Sequence, residues 1–303
     1  MTGGSGRRLM PSITKRASSR RPADPPESWE LEYSESEGAP YNRGVYDVFP
    51  RPPRSEEDVP QGALEALNSS CSLAGLRQLL LLPMAVRATG HGGEKVISPA
   101  SVLAIGTRAV GLWTDRPQAG VKVLIPLERM SAIEDVTILL YGRLSFFSFS
   151  ERLTIRYNTL ARSSLKPVLF ELRQRLAGSP LPLPHEEAPA GELPLKWRRL
   201  LRSPQLRFRE GAPLAYRFTV TPRSARDDIE RGQLLVLSPH ELLFLCDPPE
   251  ASHNYGEDSF IVPRPRITRV RVRERYLEVA SNGARLSLSM APELRQAAAR
   301  WLS

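Results

Sequence analysis

Cysteine and histidine are scarce in this 303-residue chain, and each shortage removes a class of protein. Two cysteines, Cys71 and Cys246, are too few for a disulfide-stapled secreted module, and no secretory apolar segment opens the chain, so a reducing compartment is expected. Four histidines, His91, His185, His240 and His253, stand apart from one another and from the cysteines at every recognised zinc spacing. No metal site is read. Long apolar runs are also missing: the longest, from Leu79 to Val86, is interrupted by Pro83 and falls short of the ~18 residues a membrane-spanning helix needs. The glycine-rich GHGGE (90–94) lacks the GK[ST] ending and the following helix of a phosphate-binding loop, and no G-x-S-x-G elbow occurs. The chain is therefore read as not an enzyme, with no catalytic residue and no cofactor.

Arginine is what the chain has in excess. Of 42 basic residues only 5 are lysine, and against 33 acidic residues they leave a net charge of +9. Residues 1–60 carry 9 basic and 10 acidic groups, residues 61–185 carry 14 and 8, and residues 186–303 carry 19 and 15. The surplus lies outside the first 60 residues, where it favours anionic partners such as phosphates, lipid headgroups or nucleic acid. With 41% apolar residues the remainder has enough material for a large core or two small ones.

Composition divides the chain. Residues 1–60 are rich in Gly, Ser, Arg and Pro without apolar periodicity, and are expected to form a disordered tail. A targeting peptide, or a docking segment built on Tyr33, Tyr41 and Tyr46, stands as an alternative use of this tail. A second Pro-rich linker begins near residue 179 and, with a short basic segment, extends to residue 212. A first domain over 61–178, opened by a short helix, and a second over 213–303 remain.

The two blocks align with each other. At an offset of 132, VLAIG (102–106) falls on LLVLS (234–238) and AVGLWTD (109–115) on ELLFLCD (241–247); IPLERMSAI (125–133) then falls on VPRPRITRV (262–270). Each block continues into a strand pair and an amphipathic pattern. Leu165, Val168, Leu169, Leu172 and Leu176 carry helical spacing in the first, and in the second Asn282-Gly283 marks a hairpin before a helix opened by Pro292-Glu293. Expected core positions are Leu112, Ile125, Ile133, Leu153 and Leu172 in the first block, and Leu243, Val262, Val270, Leu286 and Trp301 in the second.

The order of an extended run, AIGTRAVGLWTD (104–115), IPLERMSAIE (125–134), a hairpin and an amphipathic helix resembles the bacterial pleckstrin-homology-like and GRAM-like domains, here as a tandem repeat. The resemblance covers roughly residues 80–178 well and 213–303 more weakly. It implies a mainly β (α+β) chain of two bent antiparallel sheets or partly open barrels, each closed by a C-terminal helix. It also implies binding or scaffolding, with lipid, peptide or protein ligands.

Two basic constellations are the candidate binding residues. Strand alternation puts Arg269, Arg271, Arg273 and Arg275 on one face and Val270 and Val272 on the other, and a row of guanidiniums suits phosphate or carboxylate. Solvated strand face is the competing reading. Lys196, Trp197, Arg198 and Arg199 form a short amphipathic segment suited to a membrane interface, a partner groove, or simple packing between domains. A cytoplasmic adaptor or scaffold that binds proteins is the leading function. A peripheral protein binding anionic lipid at the inner face of a membrane is the alternative, and nucleic-acid binding ranks lower because no aromatic stacking residues interleave the arginines. The cap reading of Asn68, as the start of a helix running to Leu80, completes these expectations.

Overall fold

Apolar runs with no polar alternation, such as LLVL and ELLFLC, imply strands covered on both faces, and the fold supplies both covers. A computed structural model describes residues 48–88, 94–115, 119–183, 193–202, 214–224, 227–248 and 256–303. Among them the chain is mainly β, with few helices and several antiparallel sheets, none of which closes on itself. No helix among the described residues is long and apolar enough to cross a membrane.

The first half opens with helix α1 (Ala63–Cys71) and strand β1 (Leu79–Leu82), followed by a separate hairpin of β2 (Ala85–Ala88) and β3 (Glu94–Ser98). Strands β4 (Ser101–Ile105), β5 (Ala109–Thr114) and β6 (Gly120–Pro126) complete a sheet of order β1-β4-β5-β6. Next come β7 (Met130–Ile138), β8 (Tyr141–Ser148), β9 (Arg152–Asn158) and helix α2 (Arg162–Leu176). The second half runs from helix α3 (Leu195–Arg202) through β10 (Ala215–Ser224), β11 (Asp227–Leu237), β12 (Glu241–Cys246) and β13 (Glu257–Pro263). It ends with a three-stranded sheet, β14 (Ile267–Val272), β15 (Tyr276–Ser281) and β16 (Ala284–Ser289), and helix α4 (Pro292–Leu302).

The halves share one sheet. Its order, β10-β11-β12-β13-β7-β8-β9, takes four strands from beyond the Pro-rich linker and three from before it. The seam is the antiparallel pair β13–β7, with Ile261 opposite Ile133 and Glu257 opposite Thr137. As a result β11 and β12 lie between two cores. Leu234, Val236, Leu243 and Leu245 pack with the first half's core around Phe146, Tyr157 and Leu172, whereas Leu235, Leu237, Leu242 and Phe244 pack with Leu277, Val279, Leu294 and Trp301. The first half's own sheet is doubly covered as well. Leu103, Ile105 and Leu112 face that same core, and Val102, Ala104 and Trp113 lie under α1 with Leu67 and Cys71.

The sequence offset recurs in the hydrogen bonding. Gly106 N donates to Ala109 O and Ser238 N to Glu241 O; Asp115 N donates to Ala100 O and Asp247 N to Gly232 O, each pair separated by 132 residues. Leu127 N to Arg108 O and Arg264 N to His240 O continue the correspondence across the next turn. Helix α3 also begins 132 residues after α1. The basic segment is therefore the leading helix of the second half, an equivalence its unlike sequence concealed.

Several local expectations change. Val48 and Val59 are buried and Arg51 pairs with Leu81, so residues 48–60 pack on the first half although their composition resembles that of the tail. Their apolar side chains are too widely spaced to show a period. Residues 1–47, with the targeting and docking readings that fall on them, lie outside the described residues. Asn68 ends a helix instead of starting one: α1 stops at Cys71, and the Asn68 side chain accepts from Leu73 N at 3.2 Å. Val270 is only half-buried, while the other nine expected core residues are buried. Asn282 and Gly283 adopt positive φ, 49° and 84°, at the β15–β16 turn, as the hairpin signal requires.

Leu172, on the inward face of α2, is fully buried. Leu172→Ala is expected to cost about 2–5 kcal/mol and lower the calorimetric melting temperature, with an unchanged midpoint arguing that α2 contributes little to the core.

Candidate binding surface

Six arginines cluster between residues 264 and 275, and the fold sorts them into two groups. Arg264 and Arg266 occupy the tight turn between β13 and β14 and are spent on backbone carbonyls. Arg264 donates to Leu181 O at 3.2 Å, and Arg266 donates to Met130 O at 2.8 Å and to Leu127 O. Burial lowers both guanidinium pKa values from their ordinary range. These two arginines tie the turn to the linker and to the first half.

Arg269, Arg271, Arg273 and Arg275 are all exposed. Among the described residues strand β14 is an edge strand paired only with β15, and Arg271 lies opposite Glu278. The strand ends at Val272, so Arg273 and Arg275 fall in the turn, and the expected four-arginine alternation is carried by two strand residues only. Arg273 Nη2 lies 3.5 Å from Glu278 Oε2, an exposed pair of small energetic weight. Val272, expected on the covered face with Val270, is 46% exposed at the last position of the strand.

Strand β16 adds what the sequence reading missed. Its alternating burial exposes Arg285, Ser287 and Ser289, and Arg285 stands opposite Ala280, which itself stands opposite Arg269. Glu278 is the single carboxylate at the outward positions of the three strands, against Arg269, Arg271 and Arg285. The signal was available in the strict alternation of ARLSLS after Asn282-Gly283. Beside Arg285 opens a cavity of about 370 Å³ lined by Phe147, Ser148 and Phe149 of the first half and by Gly283, Ala284 and Leu286 of the second.

The other constellation is largely internal. Trp197 is buried and its ring lies 5.7 Å from that of Phe218. Lys196 pairs with Asp247, donates to Gly256 O at 2.6 Å and sits 5.0 Å from the Trp197 ring centre. Gly232 makes room for the indole, since a Cβ there would come within 2.6 Å of it. Arg198 donates to Leu193 O at 3.0 Å, and of the four residues Arg199 alone is exposed. An amphipathic helix reads the same from sequence whether its apolar side meets lipid or protein; here it meets the core.

Buried charges gather along the seam. Tyr157 Oη donates to Asp135 Oδ1 at 2.8 Å, and Arg162 bridges Asp135 at 2.9 Å and Glu257 at 3.5 Å. Burial pushes the Asp135 carboxyl above the usual carboxylate range, against the pull of Arg162 and Tyr157. Burial, and after it the Asp135 charge, pushes the Tyr157 hydroxyl up. Further along α2, Arg173 meets Glu241 of β12 side-on, with Nε to Oε1 at 3.0 Å and Nη2 to Oε2 at 2.5 Å. Of the histidines, His240 lies 3.4 Å from Ala177 O, and the other three fall outside the described residues, as does most of GHGGE. Among the described residues no three His, Cys, Asp or Glu side chains converge as a metal site would need. No family model, curated protein or solved structure matches the chain.

Two measurements follow from these buried groups. Glu241→Gln leaves Arg173 charged, buried and without its counter-ion, and is expected to cost roughly 3–5 kcal/mol in urea denaturation, far more than the same change at an exposed glutamate. Burial pushes the Cys71 thiol up to about 11. At pH 8 only about one thiol in a thousand would then be thiolate, so Cys71 should resist alkylation in the native protein and react promptly once urea unfolds it.

Proposed function

We propose that the chain is a non-catalytic adaptor or scaffold built from two pleckstrin-homology-like units, and that its arginine face receives an acidic segment of a partner protein. The unit assignment is supported by an order of leading helix, four-stranded set, three-stranded set and helix that runs twice with matching hydrogen bonds, the β2–β3 hairpin being set apart in the first half. The observation that carries the function is the outward face of β14–β16, where Arg269, Arg271 and Arg285 surround one carboxylate and Arg273 and Arg275 extend the row. Unlike the buried arginines, these are not committed to the seam. Guanidiniums at such spacing bind carboxylates bidentately, and an acidic segment can lie across them on the outward face. The Phe147–Phe149 wall of the adjoining cavity gives an apolar side chain of that peptide a place to rest.

An anionic membrane surface is the second reading, and the burial of Trp197 removes the segment best suited to insertion. Among the described residues enzymatic and nucleic-acid roles gain no supporting residue set, since the buried carboxylates are paired with arginine or lysine.

The double variant Arg271→Glu with Arg273→Glu is expected to abolish capture of a labelled Glu-rich peptide in fluorescence anisotropy, while circular dichroism stays that of the wild type. Wild-type binding should weaken as salt rises, because the Debye length falls from about 10 Å at 0.1 M to about 3 Å at 1 M. Binding of anionic vesicles but not of the peptide would transfer the face to the membrane reading, and unchanged peptide binding by the double variant would reduce it to a solvated surface.

A further inference from the structure

The seam that joins the halves is not symmetric, and that asymmetry leaves two strand edges behind. It pairs the last strand of the second half's four-stranded set, β13, with the first strand of the first half's three-stranded set, β7. At the offset of 137 that relates β6 to β13 and β7 to β14, the same two roles are filled again by β6 and β14. Both of these end their sheets, so each has an edge unpaired among the described residues. The difference in burial follows the pairing. Ile133 and Asp135 on β7 are buried, whereas Val270 and Val272 at the matching positions of β14 are half-buried and exposed. Likewise Ile261 on β13 is buried, whereas Leu124 on β6 is half-buried and Lys122 is exposed.

We propose that the occupant of the β14 edge is strand β6 of a second copy of this chain, so that molecules associate head to tail by repeating between chains the seam that each chain makes within itself. Carried over at the same offset, the register sets Leu124 opposite Val270, Lys122 opposite Val272, Val123 opposite Arg271 and Val121 opposite Arg273. Leu124–Val270 takes the place of Ile261–Ile133. No two cations stand directly opposite, and the aliphatic stems of Arg271 and Arg273 lie along the valines. The arginine heads remain on the outward face, so the contact uses the edge of β14 and is independent of the peptide reading. A junction of one edge with a different edge is heterologous and propagates into an open series or a ring.

The junction between chains is weaker than the seam inside one. Counterparts of Asp135 and Glu257 at the same offset are Val272 and Gly120, so the Arg162 bridge has no equivalent. Backbone pairing and a few aliphatic contacts then act alone, and assembly depends on concentration.

Sedimentation velocity on the full chain at about 0.15 M salt tests this, the Debye length there being about 8 Å and longer than the roughly 5 Å between opposed strand positions. The expected result is a weight-average sedimentation coefficient that climbs with concentration. Val272→Arg puts a cation opposite Lys122, both at exposed positions, and should weaken association by about fivefold, the upper end for directly opposed like charges. Adding Lys122→Glu to that variant should restore it, because a carboxylate then faces the new arginine. A chain that sediments as a monomer at every concentration, a Val272→Arg variant that associates as well as the wild type, or a double variant that fails to recover would each overturn the proposal. Peptide capture by the arginine face would stand in all three cases.

Discussion

Pairing of β13 with β7 is the constraint on which the rest of the molecule depends. Backbone hydrogen bonds across that seam turn two incomplete sheets into one, and in doing so lay the outer face of β11–β13 on the first half's core. Charged groups flank the seam where the apolar contact ends. Arg162 spans Asp135 and Glu257, and Arg173 grips Glu241. Desolvating such pairs offsets much of their attraction, so they fix how the halves meet more than how tightly.

Similar local sequence is put to different use in the two halves. Asp115 and Asp247 end equivalent strands and donate equivalent backbone hydrogen bonds. Asp247 also accepts from Gly232 N at 2.7 Å and pairs with Lys196. At the matching offsets Asp115 has Ala100 and Leu64, and its Oδ1 is buried with no hydrogen bond among the described residues. The second half thus has a lysine and a tryptophan on its leading helix, with a glycine beneath the indole, where the first half has a bare strand end.

Periodicity exposed those parts of the fold whose surroundings are local. Asn282-Gly283 demanded a turn and Leu165 to Leu176 a helix, each within a few residues of chain, and comparison of such short frames at the 132-residue offset gave an equivalence of strands. The shared sheet was hidden, because EDSFIVP and MSAIEDVTI carry no mark that they pair with each other across more than a hundred residues. The burial of Trp197 was hidden for the same reason: its cover comes from Phe218 and the strand at Gly232. Arginines between 264 and 275 formed one class in sequence, and only the turn before β14 separated the two that bind carbonyls from those that reach solvent. Arg285 was overlooked since a lone arginine in a short strand carries no weight until its neighbours across the sheet are known.

Because the shared sheet draws strands from both ends of the chain, synthesis imposes a waiting period on it. Strands β7–β9 leave the ribosome with one edge unmatched and with the core around Phe146 and Tyr157 still lacking Leu234, Val236, Leu243 and Leu245. That nascent surface is apolar and has an open edge, the combination most prone to pair wrongly with a neighbouring chain. Protection must last until β13 arrives, and a chain cut short in the linker would never receive it. Expressed alone, the first half would therefore be a sticky fragment rather than a smaller version of the protein.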